Sequence, residues 1–260
     1  MGKNKIAEVD SASQRFPVVR KIQSSNIIDW LRRGLDDVQQ AQFASLFYGI
    51  IFAGAGILMH TVLFDASWLL SALTTGFLLI GPFLAMGLYD LSRRIELGEK
   101  PVLIPSLSAW RANLMNVGIF AGVLVVILLI WARASLVIFA LFFQGGLPTF
   151  LEIVQTVITF EQPTFALVYF AVGGFFAAFV YAVSVVAIPL MADQKTDAVT
   201  AAIASLLAVT RNVVPMALWA ITIVLLVAIG FATHFIGLII TMPIIGHASW
   251  HAYRDLVEPV

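Results

Sequence analysis

Long apolar runs separated by short polar stretches dominate the chain. A helix needs about 20 apolar residues to cross the hydrocarbon core of a bilayer, and six runs approach that length. They extend from about Phe43 to Leu63, Trp68 to Leu91, Leu114 to Trp131, Phe165 to Leu190, Val213 to Gly230 and Phe235 to Trp250. The pattern therefore predicts an all-α, polytopic membrane helix bundle with six transmembrane helices.

The segment before the first run has a different pattern. Residues 1–25 are polar and predict a cytoplasmic tail. In residues 26–38 the apolar side chains fall on one helical face and most charges on the others, which predicts an amphipathic helix. Two placements stay open, in the membrane interface with Trp30 at headgroup level or packed on the cytoplasmic side of the protein. We assign 1–40 to the tail and this helix, and 41–257 to the transmembrane domain.

Residues 132–164 are apolar but interrupted. The stretch 135–143 ends at Gly145, Gly146 and Pro148, and a second stretch, 149–160, ends before Pro163. We expect the third span to end near Trp131 and both stretches to form interfacial or re-entrant helices. The alternative is one long helix to Phe143 that contains Arg133.

The distribution of basic residues predicts the orientation. With the N-terminus inside, 14 of the 15 Lys and Arg residues lie in inner segments, and only Arg133 lies elsewhere. This agrees with the excess of Lys and Arg in cytoplasmic loops. We expect both termini in the cytoplasm and, because the polar start does not look like a secretory signal, an uncleaved N-terminus.

Composition supports a membrane location and narrows the chemistry. Hydrophobic residues make up 60% of the chain and charged residues 12%, against about 25% charged in soluble domains. The chain has no cysteine, which excludes disulfides, thiol catalysis and cysteine-based metal sites. We expect the lipid bilayer as the main partner, no nucleic acid and no cofactor.

Two inner segments resemble each other. With a shift of 99 residues, 106–125 aligns with 205–224, and 6 of the 20 positions are identical, among them Asn113 with Asn212. We therefore predict a parallel repeat of about 68–131 and 165–230, with its axis along the membrane normal. The two asparagines are expected to join helices through hydrogen bonds.

Few side chains in the predicted spans offer chemistry. His247 and His251 share a helical face and could meet a metal or an acidic lipid. The favoured interpretation places them with Trp250, Tyr253 and Arg254 in an inner interfacial belt. Asp90 and Arg94 are spaced to pair at a helix end. No P-loop, G-x-S-x-G or H-E-x-x-H motif occurs, so we predict no catalytic and no metal-binding residues.

Three inner segments carry a family resemblance: SRRIELGEKP (92–101), the stretch 189–212 and PIIGHASWHAYRDLV (243–257). With the span pattern, they resemble an uncharacterised family of bacterial integral membrane proteins with a domain of unknown function. Some relatives carry a label likening them to a cytochrome c oxidase subunit. A haem–copper core would need many more spans and histidines within them, which this chain lacks. The resemblance implies the bacterial inner membrane and supplies no catalytic residues.

These observations favour a non-enzymatic accessory, assembly or scaffolding component of a membrane complex, such as a respiratory one. The alternative is a small-solute channel or transporter, which the predicted repeat would suit. A third hypothesis is an intramembrane enzyme that acts on lipid through His247 or His251. A membrane-protein partner is expected, and the pattern does not indicate an oligomeric state.

Overall fold

The computed structural model describes residues 16–65, 83–143, 155–159 and 161–258, without the side chains of residues 62–65. The regular elements in these ranges are helical, and one isolated antiparallel bridge joins Val19 to Val257. The predicted all-α class is therefore confirmed for the described residues.

Most of the predicted stretch 149–160 lies outside the described residues, and 155–158 forms a helical turn. The other described helices follow one another with short connections, except across residues 66–82 and 143–162. They are α1 (Asn26–Gln40), α2 (Gln42–Asp65), α3 (83–96), α4 (Leu103–Ser106), a 3-10 helix (Ala109–Asn113), α5 (Leu114–Phe142), α6 (Pro163–Ser184), α7 (Ala187–Gln194), α8 (Ala198–Arg211), α9 (Val213–Ala232) and α10 (Leu238–Leu256). Proline stands at the first position of α6, where its missing N–H costs nothing.

Four stretches of the described chain are long and apolar enough to cross a membrane: Gln42–Thr61, Leu103–Phe142, Pro163–Gln194 and Val213–Ala232. They correspond to the first, third, fourth and fifth predicted spans. The second, from about Trp68 to Leu91, lies mostly outside the described residues. The sixth corresponds to α10, which is more polar and is not one of the four. The count of six spans therefore stays a prediction.

The third predicted span is longer than expected. Helix α5 continues without interruption from Leu114 to Phe142 and includes Arg133. The predicted end near Trp131 is wrong for this helix, and the alternative of one long helix is correct. The physical reason is local, because no proline or glycine occurs between Gly122 and Gly145 and a backbone in an apolar environment must satisfy its hydrogen bonds within the helix.

Helix α1 packs on the protein along its apolar face, mainly against α10. The Trp30 ring is completely buried, contacts Trp219 edge to face at 5.6 Å between centroids, and donates its Nε1–H to Asp255 Oδ2 at 2.7 Å. A carbon placed at the Cβ position of Gly34 would lie 2.8 Å from the backbone nitrogen of Ala248. The two helices approach so closely that only glycine fits at this position.

The two ends of the described chain are joined. Arg20 N–H donates to the carbonyl of Leu256 at 2.8 Å, and Glu258 N–H donates to the carbonyl of Val18 at 3.0 Å. The Asn212 side chain accepts from the N–H of Ile22 and donates to the carbonyl of Arg20. Residues 18–22 and 256–258 therefore lie on the same side of any membrane that the helices cross.

Buried positions recur at the entrance to three helices, α2, α5 and α9. Adding 72 to a residue number in α1–α2, and then a further 99, leads to two other buried residues. This holds for four starting positions and gives four sets of three residues. The sets are Gly34, Ser106 and Ser205; Ala41, Asn113 and Asn212; Ser45, Val117 and Met216; and Tyr48, Phe120 and Trp219. The predicted repeat stays a prediction, but its two segments share these positions and α1–α2 supplies a third set.

A second group of buried positions recurs in three places: in α3, 99 residues later around α7, and a further 62 residues later in α10. The sets are Gly87, Val186 and Ala248; Leu88, Ala187 and Ser249; Leu91, Leu190 and Ala252; and Ser92, Met191 and Tyr253. The contacts correspond as well. Gly34 lies against Ala248, and at the corresponding positions Val186 N–H donates to Ser205 Oγ at 3.1 Å.

Candidate functional site

A buried polar cluster lies where α1 and α2 meet α3 and α10. It consists of Asp37, Ser45, Ser92, His247 and His251. The His247 side chain is fully buried, with Nε2 2.9 Å from Ser45 Oγ and Nδ1 2.6 Å from Ser92 Oγ. Both ring nitrogens therefore have a hydroxyl partner.

The hydrogen bonds of the polar cluster form a chain in which each group donates to the next, from Ser45 through His247 and Ser92 to Asp37. Ser92 Oγ donates to Asp37 Oδ2 at 2.6 Å. Since a serine hydroxyl has one proton, Ser92 must accept from Nδ1–H of His247, and Nε2 then accepts from Ser45. His251 Nε2 lies 2.9 Å from the same Asp37 oxygen. A neutral His247 satisfies every bond in this chain, so the ring needs no charge to be held.

Helix geometry explains why these residues meet. The backbone bonds Ala41 N to Asp37 O and Ser45 N to Ala41 O continue the helical pattern from α1 into α2. Asp37 and Ser45 consequently face the same direction, toward the face of α10 that carries His247 and His251 one turn apart. Sequence analysis identified the two histidines but missed the other three members of the cluster. The four-residue spacing of Asp37, Ala41 and Ser45 was the signal available.

A second group of charges joins α10 to α3 and α7. Arg254 binds Glu96 Oε1 through Nη2 at 2.8 Å and through Nε at 3.0 Å, and Trp250 Nε1–H donates to Glu96 Oε2 at 3.1 Å. The Tyr253 hydroxyl donates to Asp193 Oδ2 at 2.8 Å. Burial raises the pKa of the Tyr253 phenol, and the Asp193 carboxylate raises it further. Tyr253 therefore stays protonated and acts as a donor.

Asp90 and Arg94 form the predicted ion pair, with 2.7 Å between Oδ2 and Nε. The bond to Asp90 raises the pKa of the Arg94 guanidinium above its ordinary value. The pair lines a cleft of about 280 Å³ between α3, the segment 103–113 and α7. We call it the charged cleft, and its charged members are Asp90, Arg93, Arg94, Asp193 and Lys195.

The two asparagines make hydrogen bonds to distant parts of the chain. Each stands immediately before a long apolar helix, Asn113 before α5 and Asn212 before α9. Asn113 Nδ2 donates to the carbonyls of Met191 and Thr196, at 3.1 and 2.9 Å. Asn212 fastens the N-terminal segment instead. Both side chains hold neighbouring segments against the start of a helix.

The position of these α10 residues differs from the predicted inner interfacial belt. His247 and Trp250 are buried, and Tyr253 is buried as well, so this part of α10 is a packing surface. Arg254 remains partly exposed. Within the described ranges, no group of three or more His, Cys, Asp and Glu side chains is arranged to hold a metal ion.

The long apolar helices of the described chain define a multi-pass integral membrane protein. Residues 69–193 match the family described as "Predicted integral membrane protein (DUF2189)". The match confirms the predicted resemblance to a family of integral membrane proteins with a domain of unknown function, over slightly less than half of the chain. Comparison with curated proteins found no match, and comparison with solved structures found none either.

Proposed function

We propose that this protein is a non-enzymatic accessory, assembly or scaffolding component of a bacterial inner-membrane complex, such as a respiratory one. The observation that carries the proposal is the closed bonding of the polar cluster. Each of its groups is used to hold another, and fully satisfied buried networks of this kind rigidify a fold. The histidines that sequence analysis considered for catalysis then serve to join helices.

The exposed apolar surface supports a role in the bilayer with a protein neighbour. Helix α5 exposes Met115, Val126 and Leu141, and α9 exposes Val214 and Val224. Lipid covers such side chains, and a second membrane protein can replace lipid there through close packing. The accessory role requires that one stretch of this surface contact a partner.

The proposed topology has six spans with both termini in the cytoplasm. The bonds between residues 18–22 and 256–258 require an even number of crossings between them, which agrees with this count. The basic residues favour the cytoplasm for this side. Reporter fusions within 92–112 and 192–212 should score as cytoplasmic, and periplasmic signals there would reject the orientation.

Site-specific photo-cross-linking tests the accessory role. A photoreactive residue at Val126, and separately at Val224, should give adducts of one defined mass in native membranes. The same partner should copurify after gentle solubilisation. A probe at the buried Phe120 is the matched control and should give no such adduct. Recovery of the protein alone, with no reproducible adduct from either exposed position, would count against the proposal.

A further inference from the structure

The charged cleft lies where the recurring packing of the protein is interrupted. Helices α1 and α8 are continuous over 15 and 14 residues, and each covers a neighbouring helix closely. The corresponding segment, 103–113, consists of a four-residue helix and a five-residue 3-10 helix. Because these short pieces do not fill the same space, the cleft of about 280 Å³ remains beside α3 and α7.

The side chains that line the cleft include three cations and two carboxylates. Arg93 pairs with Asp193 at 3.3 Å. Arg94 pairs with Asp90 at 2.7 Å and, outside the lining of the cleft, with Glu99 at 3.5 Å. Lys195 is the third cation, and no carboxylate of the described chain lies within 4 Å of its ammonium group. Each guanidinium has five N–H donors, and these three ion pairs use only some of them. The cleft can therefore hold an anion with one lysine and the remaining arginine donors.

The position of the cleft indicates where that anion comes from. Ala112 lines the cleft, and the apolar helix α5 begins two residues later, at Leu114. The cleft is thus at the boundary between polar and apolar surface, the depth at which lipid headgroups meet a membrane protein. The Ser108 hydroxyl donates to the carbonyl of Pro105 at 2.9 Å. Its oxygen and the paired carboxylates can accept from hydroxyl groups next to a phosphate.

We propose that the charged cleft binds the phosphate of an anionic phospholipid headgroup, held by Lys195 together with Arg93 and Arg94. The carboxylates of Asp90 and Asp193 position the two guanidiniums, and Ser108 binds a headgroup hydroxyl. This proposal is independent of the accessory role, because it concerns a lipid and needs no protein partner.

Native mass spectrometry of the full-length, delipidated protein in detergent provides the test, with phosphatidylglycerol as the probe and phosphatidylcholine as the neutral reference. We expect one phosphatidylglycerol to bind in preference to phosphatidylcholine. Lys195→Asn should weaken this binding about fivefold, the effect of one lysine beside an anionic headgroup. Asparagine suits this position because Lys195 has a φ of 52° and asparagine tolerates the left-handed region.

Two further variants make the result specific. Lys195→Arg retains the charge and should retain the affinity. Lys100→Asn removes another exposed lysine that does not line the cleft, and it should leave binding unchanged. Equal losses for Lys195→Asn and Lys100→Asn would overturn the proposal, as would equal binding of the two lipids. Displacement of the lipid by inorganic phosphate would identify free phosphate as the ligand and reject the lipid.

Discussion

The polar cluster and the charged cleft lie near each other on α3 and α10 but differ in how their polar groups are satisfied. In the cluster, Asp37 and His247 are buried, and the described hydrogen bonds account for both. In the cleft, Lys195 is exposed and has no carboxylate partner in the described structure. Buried polar groups that satisfy one another stabilise packing, whereas a surplus charge at a surface is available to a ligand. The comparison assigns stability to one region and binding to the other.

The largest effect should come from removing the centre of the polar cluster. Asp37→Ala leaves Ser92 and His251 without their shared acceptor, so we expect a loss of about 3 kcal/mol in stability, the usual cost of breaking a buried charged contact. Thermal or denaturant unfolding of the purified protein in detergent measures it. Asp36→Ala removes the neighbouring, exposed carboxylate and should change stability little. Similar losses for both variants would remove the distinction between the two regions.

A smaller effect should follow from the loss of one bond across the α1–α10 interface. Trp30→Phe keeps an aromatic ring against Trp219 but removes the hydrogen bond to Asp255. Hydrogen bonds to charged groups contribute about 1.5–3 kcal/mol, and we expect a loss of about 2 kcal/mol in the same unfolding measurement. Trp110→Phe is the control, because among the described residues the Trp110 indole N–H donates to the nearby carbonyl of Leu107 and not to a distant helix. If Trp110→Phe lowers the stability as much as Trp30→Phe, the hydrogen bond across the α1–α10 interface does not account for the loss.

A third, smaller effect on stability is expected at an exposed carboxylate. Asp197 begins α8 and accepts the N–H groups of Thr200 and Val199, at 2.9 and 3.0 Å. The bond from Thr200 is the main reason that its pKa lies below the ordinary value of 3.8. This contribution is complete at pH values above about 4 and is lost as the pH falls through the folded-state pKa.

Two substitutions separate the cap of α8 from its charge. Asp197→Ala removes the cap and should cost about 1 kcal/mol. Asp197→Asn can still accept the bonds, so it should retain most of the stability and lose the part of the pH dependence that comes from Asp197. Unfolding at pH 7 and at pH 3 measures both effects. An unchanged pH dependence in Asp197→Asn would contradict this assignment.

The membrane helices could be predicted from the sequence because a long apolar run has few alternatives in water or lipid. Four predicted spans coincide with helices of the described structure, and the beginnings of α5 and α9 agree with the prediction. The end of α5 does not agree with the prediction, because hydropathy alone does not distinguish a membrane span from an apolar continuation of the same helix. Only a helix-breaking residue marks that boundary, and here the first candidates are Gly145 and Gly146.

The site was less predictable because it depends on contacts between distant parts of the chain. Asp37 and His247 are 210 residues apart, and neither belongs to a local motif. The charges around Asp37 favour solvent in a helix considered alone, so its burial follows only from the packing of α1 on α10. The pair Asp90 and Arg94 was predictable, since four-residue spacing places both on one turn of helix.

The smallest effect should occur between the two regions, where Arg254 and Glu96 pair across α10 and α3. Both side chains are partly exposed, at 28% and 38%, and exposed pairs contribute about 0.2–1 kcal/mol. A double-mutant cycle with Arg254→Met, Glu96→Gln and the double variant should give a coupling of about 0.5 kcal/mol that weakens at high salt, because ions screen exposed charges. The stability loss from Asp37→Ala should be much less sensitive to salt. A coupling at Arg254 and Glu96 as large as the Asp37 effect would place this pair with the buried polar cluster.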